Sequence, residues 1–164
     1  MKKEFYDKLA EPFERDEGRR KGLLKLNTVI TNLVYAVYPA LLVVSLFMRD
    51  KSFFKVLLVP AISFLLVTLF RKMCHAQRPY EVWGVSPLIP KETKANSFPS
   101  RHVFSIYMIA MAAGYLWWPL AILLFVAGVF LAAARVIGRV HFLKDVIAGA
   151  ILGVGLGIVG FYVV

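Results

Sequence analysis

The chain has 164 residues, 59% of them hydrophobic, with a mean hydropathy of +0.67 and a net charge of +10. A soluble domain of this size is about 45–50% apolar, so the excess points to a membrane protein of one compact domain and argues against a basic nucleic-acid-binding groove on a soluble fold. The simpler partner for the positive charge is anionic lipid or a phosphorylated substrate, and the single cysteine, Cys74, excludes an internal disulfide.

Residues 1–25 form a polar N-terminal segment with eight Lys/Arg and six Asp/Glu. It has no apolar run of the kind a cleavable signal peptide needs. Phe5, Tyr6, Leu9 and Phe13 recur at helical spacing, which fits a short interfacial helix, with a solvated tail as the alternative. Residues 26–164 read as the transmembrane domain. The first span is 26–48, uncharged and long enough for a bilayer, which needs roughly 20 residues. A short turn, 49–55, leads to a second span at 56–70, begun by Phe53 and Phe54 and holding Pro60, a candidate kink. The polar loop 71–101 follows, with four of the eight prolines, and long ordered loops are often functional.

From 103 to 134 there are 32 residues without a charge. One helix of that length would run about 48 Å, too long for a hydrocarbon core of about 30 Å. Trp117, Trp118 and Pro119 suit an interfacial turn followed by a helix start, so the segment is expected to be a hairpin of two spans. The last span, 142–164, carries Gly149, Gly153 and Gly157 at GxxxG spacing, expected to allow close helix packing. The expected fold is therefore all-α: a polytopic membrane bundle of about five transmembrane helices, with the loops 71–101 and 135–145 on one face.

Three polar clusters converge on that face: RKMCHAQRPY at 71–80, SFPSRH at 97–102 and ARVIGRVHFLKD at 134–145. His141 and Asp145 stand four apart and share a helix face. A carboxylate on one imidazole nitrogen fixes the tautomer and makes the other nitrogen more nucleophilic. Taken alone the pair also suits an ordinary juxtamembrane ion pair. Arg71, Lys72 and Arg78 suit phosphate oxygens, or snorkelling to lipid headgroups. Ser100 and His102 open a span where helix N-terminal amides favour an anion, and Ser100 also suits a plain N-cap. Cys74 and His75 are read as bystanders.

Together these clusters resemble the type 2 phosphatidic acid phosphatase family, integral-membrane lipid phosphatases that share a core with vanadium haloperoxidases. The family's motifs are Lys, six residues, Arg-Pro; then Pro-Ser-Gly-His; then Ser-Arg, five residues, His, three residues, Asp. This chain reads Arg71, six residues, Arg78-Pro79; then Pro99-Ser100-Arg101-His102; then Ala134-Arg135, five residues, His141, three residues, Asp145. The resemblance covers roughly 56–164. The family usually has six spans, so one is expected to be lacking here. Three positions depart from the pattern. Arg71 stands at the lysine position with Lys72 one step out of register, Arg101 replaces the glycine, and Ala134 replaces the serine.

The resemblance implies hydrolysis of a lipid phosphate or diphosphate through a phosphohistidine, without metal or other cofactor. His141 would be the nucleophile, Asp145 its orienting partner and His102 the general acid and base. Arg78, Arg135 and either Arg71 or Lys72 would neutralise the phosphoryl oxygens, with Ser100 and Arg101 also on the substrate. The expected partners are the lipid phosphate and membrane lipids, with no nucleic acid and a homo-oligomer left open. The rival readings are a non-catalytic transporter or lipid-binding protein, and a haloperoxidase-like oxidant chemistry. Only Arg49, Lys51 and Lys55 of the 20 Lys and Arg fall on the face opposite the motifs, so the positive-inside rule leans toward a cytoplasmic site in the cell membrane.

Overall fold

A computed structural model of the chain describes residues 3–48, 52–90 and 95–164. The first part of the turn expected at 49–55, with Arg49 and Lys51, lies outside the described residues, as does 91–94 of the loop expected at 71–101. The described residues form seven α-helices and no strand: α1 (Lys3–Arg15), α2 (Glu17–Phe47), α3 (Ser52–Cys74), α4 (Pro79–Trp83), α5 (Arg101–Leu116), α6 (Trp118–Ile137) and α7 (Leu143–Ile158), the last closed by a π-helical turn, Val159–Val163.

The apolar spacing of the N-terminal segment does form a helix, and its face docks on the bundle: Tyr6 and Ala10 are fully buried, and Leu9 and Phe13 pack beside them. Asp16 ends α1 and starts α2, its carboxylate accepting the Arg19 amide at 3.1 Å, the usual N-cap arrangement. α2 then runs 31 residues through the boundary expected at 25–26. Hydropathy changes at that point because the surroundings change, whereas nothing in residues 17–25 stops a helix.

Four helical segments are long and apolar enough to cross a membrane: Glu17–Phe47, the segment beginning with α3, Trp118–Ile137 and Leu143–Val163. The fifth expected span is α5, whose 16 residues reach about 24 Å. Its length is not set by lipid, because it is the core of the bundle. Val103, Phe104, Ile106, Met108, Ala110, Ala112 and Ala113 are all buried, and α2, α3, α6 and α7 pack around it. The hairpin breaks at Trp117, with Pro119 in the first turn of α6. At the far end of the bundle Tyr115 closes α5 against Tyr162 and lies under the Lys55 ammonium.

α7 lies close against α5, and glycine makes this possible. A Cβ at Gly149 would lie 2.7 Å from the Ser100 carbonyl, one at Gly153 2.8 Å from the Phe104 carbonyl, and one at Gly157 2.5 Å from the Met111 side chain. The first two contacts are with backbone, which cannot swing aside. This fit brings the start of α5 beside the start of α7, where the Ser100 amide donates to the Asp145 carbonyl at 2.9 Å. Gly153→Val is expected to lower the thermal midpoint in detergent by an overpacking cost of about 1–3 kcal/mol. Gly155→Ala, where a Cβ meets nothing within 4 Å, should leave it unchanged. Equal midpoints for the two variants would show that α7 is free to move off α5.

Candidate active site

The end of the bundle that carries both helix starts also gathers the polar clusters. α3 delivers Arg71 in its last turn, the 75–78 segment delivers Arg78, α6 delivers Arg135, and the turn between α6 and α7 delivers His141. Arg71, Arg78, Arg135 and His141 are each about 95% or more buried, and Asp145 is completely so.

Asp145 sits at the third position of α7, where its Oδ2 accepts the Phe142 amide at 3.0 Å. The same oxygen accepts a short hydrogen bond from the Ser97 hydroxyl and lies 3.5 Å from His141 Nδ1. Ser97 Oγ is itself 3.3 Å from His141 Nδ1. With its proton given to Asp145, the Ser97 oxygen accepts from Nδ1–H, so that proton faces both Ser97 and the carboxylate. The arrangement selects the tautomer with a bare Nε2. Nε2 faces Arg78 Nη1 at 3.5 Å, and that nitrogen donates to the Val140 carbonyl at 2.9 Å. Burial first, then the positive charge of Arg78 and Arg135, pushes the His141 pKa well below the usual imidazole range. The Asp145 hydrogen bond opposes that shift, whose net direction favours the neutral ring, the form a nucleophile requires.

The cations divide by what they already hold. Arg71 donates to three carbonyls of one loop: Ser97 at 3.3 Å, and Asn96 and Pro99 by shorter bonds. It holds in place the segment that carries Ser97 and Ser100. Lys72, the alternative for this role, is exposed, as are Cys74 and His75. Arg135 makes no side-chain hydrogen bond among the described residues, and its Nε is buried without a partner. Arg78 Nε and the fully buried Ser100 hydroxyl are likewise unpartnered. Ser100 occupies the N-cap position of α5 without a capping bond from its side chain; its backbone amide is what the fold uses. Among the described residues no three His, Cys, Asp or Glu side chains converge as metal ligands would.

His102 and Arg101 lie in the first turn of α5, next to Ser100. They line an adjoining cavity of about 200 Å³ with residues of α2, α3 and α6. Arg101 is exposed, its guanidinium 6.0 Å from the centre of the Phe64 ring. The two histidines therefore belong to the same end of the bundle, one at the head of α5 and one just before α7.

Several residues that shape the site have no signal of their own in the sequence. Ser97 lies in the SFPSRH cluster but outside any motif position. Glu81 accepts the Arg78 amide at 2.7 Å and the Ala95 amide at 2.9 Å, tying the two loops together. Tyr6 of α1 accepts the Leu143 amide at 2.9 Å and packs on Trp83 and Phe142. Arg139, buried and with a φ of 56°, bridges to Asp7 at 2.8 Å and to Glu14, so α1 clamps the loop that carries His141. Arg139→Met keeps the stem and removes the donors. It is expected to speed tryptic cleavage at Lys8 several-fold while overall helicity is retained. An unchanged cleavage rate would mean that the Tyr6 contacts hold α1 without the ion pairs.

No curated protein matches the chain by sequence. Among solved structures, LpxE of Aquifex aeolicus superposes with a TM-score of 0.74 at 22% identity, over 96% of this chain and 92% of that one. The first transmembrane PAP2-type phosphatidylglycerolphosphate phosphatase from Bacillus subtilis superposes with a TM-score of 0.60 at 24% identity, over 94% of this chain and 90% of that one. Both likenesses are of fold: a multi-pass helical membrane protein. The family model described as the PAP2 superfamily matches residues 52–164, the stretch that holds all three polar clusters, and the chain belongs to that superfamily.

Proposed function

We propose that the protein hydrolyses a lipid phosphate or diphosphate through a phosphohistidine at His141. The observation that carries this reading is the His141 ring. Its Nδ1 lies 3.3 Å from Ser97 Oγ and 3.5 Å from Asp145 Oδ2, its Nε2 lies 3.5 Å from Arg78 Nη1, and burial holds its pKa below the usual imidazole range.

In the first step Nε2 attacks phosphorus. The bond to the leaving oxygen breaks and His102 gives that oxygen a proton. In the second step His102 takes a proton from water, the water oxygen attacks phosphorus, and the P–N bond breaks to release phosphate and restore His141. Charge on the three equatorial oxygens is met by Arg78 and Arg135, with the Ser100 hydroxyl supplying a further donor. The role of Arg71 is to hold the loop that presents Ser97 and Ser100, through the carbonyls of Asn96, Ser97 and Pro99. The substrate class is a phosphate at headgroup depth on a hydrocarbon anchor: phosphatidate, phosphatidylglycerol phosphate, or a polyprenyl phosphate or diphosphate.

The site faces the cytoplasm in this reading. Lys8, Arg15, Arg19, Arg20, Lys21 and Lys25 are all exposed on α1 and the start of α2, at the same end as the site, and exposed cations flanking a span are those the positive-inside rule counts.

Phosphate release from a panel of lipid phosphates tests the chemistry. His141→Ala is expected to abolish turnover with the fold retained in detergent, and Asp145→Asn to lower it by orders of magnitude, as loss of an orienting carboxylate does elsewhere. Turnover should persist in EDTA, and wild-type rates in His141→Ala would remove the nucleophile. The native thiol reports orientation. Cys74 is exposed at the end of α3, so a membrane-impermeant maleimide should label it only after permeabilisation. Labelling on intact cells would put the site on the outer face.

A further inference from the structure

The cavity beside His102 is built partly from a helix that the family match does not include. Its wall combines Thr31 and Tyr35 of α2, Phe64 of α3, and Arg101, His102 and Ser105 of α5. Thr31 and Tyr35 are one helical turn apart, the two polar residues of α2 that reach this wall. The Thr31 hydroxyl is buried and makes no hydrogen bond among the described residues, although a helical threonine commonly bonds back to the preceding turn. Arg101 lies on the Phe64 face and pairs with no carboxylate among the described residues. A guanidinium and hydroxyls around a cavity of about 200 Å³ make a receptor for a compact anion.

This cavity is not where the scissile phosphoryl group belongs, since His141, Arg78 and Arg135 do not line it. It adjoins that place. Arg101 is in electrostatic reach of Arg78 and Arg71, and Tyr35 of Arg135. On its other side the cavity shares Tyr35, Phe64 and Ser105 with an apolar groove of about 370 Å³, which runs between α2, α3 and α5 past Pro39 and Pro60. The order along the protein is thus nucleophile, anion cavity, hydrocarbon groove.

We infer that Arg101, with Thr31 and Tyr35, binds a second phosphate that lies between the scissile phosphoryl group and the lipid chain. The inference rests on the phosphatase reading and narrows its substrate class. Prenyl diphosphates carry such a phosphate directly attached, and phosphatidylglycerol phosphate carries it one glycerol away. Phosphatidate and prenyl monophosphates carry none.

The test is kcat/KM in mixed micelles for two pairs of lipids of matched chains: prenyl diphosphate against prenyl monophosphate, and phosphatidylglycerol phosphate against phosphatidate. A phosphate leaves more readily than an alcohol, so the readout is how each ratio depends on Arg101 rather than its size in the wild type. Arg101→Gln is expected to reduce the ratio about tenfold or more in one pair, the loss typical of a charge-assisted hydrogen bond. The pair affected identifies the source of the second phosphate. Unchanged ratios in both pairs, with activity retained, overturn the inference and leave the phosphatase reading standing. Should Arg101→Gln lose all activity, Tyr35→Phe and Thr31→Val decide: a reduced ratio in either supports the second-phosphate site, and unchanged ratios in both overturn it. Failure of the wild type to hydrolyse any of the four lipids overturns the underlying reading itself.

Discussion

Four guanidinium groups, those of Arg71, Arg78, Arg135 and Arg139, are buried at one end of a small helical bundle. Burying charge is costly unless it is paired and hydrogen-bonded, so the rest of that end is organised by how each group is answered. Arg71 is answered by carbonyls of one loop and Arg139 by two carboxylates of α1. Arg78 is half answered, by the Val140 carbonyl and the His141 ring, and Arg135 is not answered by any side-chain hydrogen bond among the described residues. Asp145, the one buried carboxylate nearby among the described residues, is already committed to Ser97, His141 and the start of α7. What remains is a fixed excess of positive charge around an imidazole whose pKa burial lowers. Such a site is preorganised for a phosphoryl group, whose transition state spreads negative charge over three oxygens.

Holding that excess in place is a packing problem before it is an electrostatic one. The glycine stripe of α7 lets it lie against the backbone of α5, and this sets the Ser100 amide on the Asp145 carbonyl. Asp145 then performs two tasks with one oxygen, capping α7 and orienting His141. The turn with His141 is closed from the other side by α1, through Tyr6, Asp7 and Glu14. If His141 is the nucleophile proposed above, a ring fixed from both sides would keep its tautomer without reorganising during the reaction, which is where electrostatic catalysis gains most.

Much of this was legible in the chain because hydropathy and spacing are local. The uncharged runs gave the spans, Trp117 and Pro119 gave the hairpin, and the four-residue interval paired His141 with Asp145, although His141 lies in the turn before α7 and not on a shared helix face. Partners drawn from afar were not legible. Ser97 reaches Asp145 across 48 residues and Arg139 reaches Asp7 across 132, and no periodicity announces either. The role of Arg71 shows the same limit from another side. Its place in the motif suggested contact with substrate, whereas its surroundings supply three carbonyls. The start of α2 was missed for a different reason: residues 17–25 are polar enough to end a hydropathy window and helical enough to continue the rod.

The division of labour along the chain has a physical basis. Chemistry needs groups held to within a fraction of an ångström, and those come from α3 to α7, whose cores and loops interlock. Selectivity needs only a wall of suitable polarity beside that centre. In the proposed reading α2 supplies such a wall, through Thr31 and Tyr35. The Thr31–Tyr35 pair lies on a helix outside the family match, and Arg101 stands where the motif has glycine. Both differences fall on the cavity between the nucleophile and the groove, where a substrate's second charged group would be read while the reacting phosphoryl group is held elsewhere.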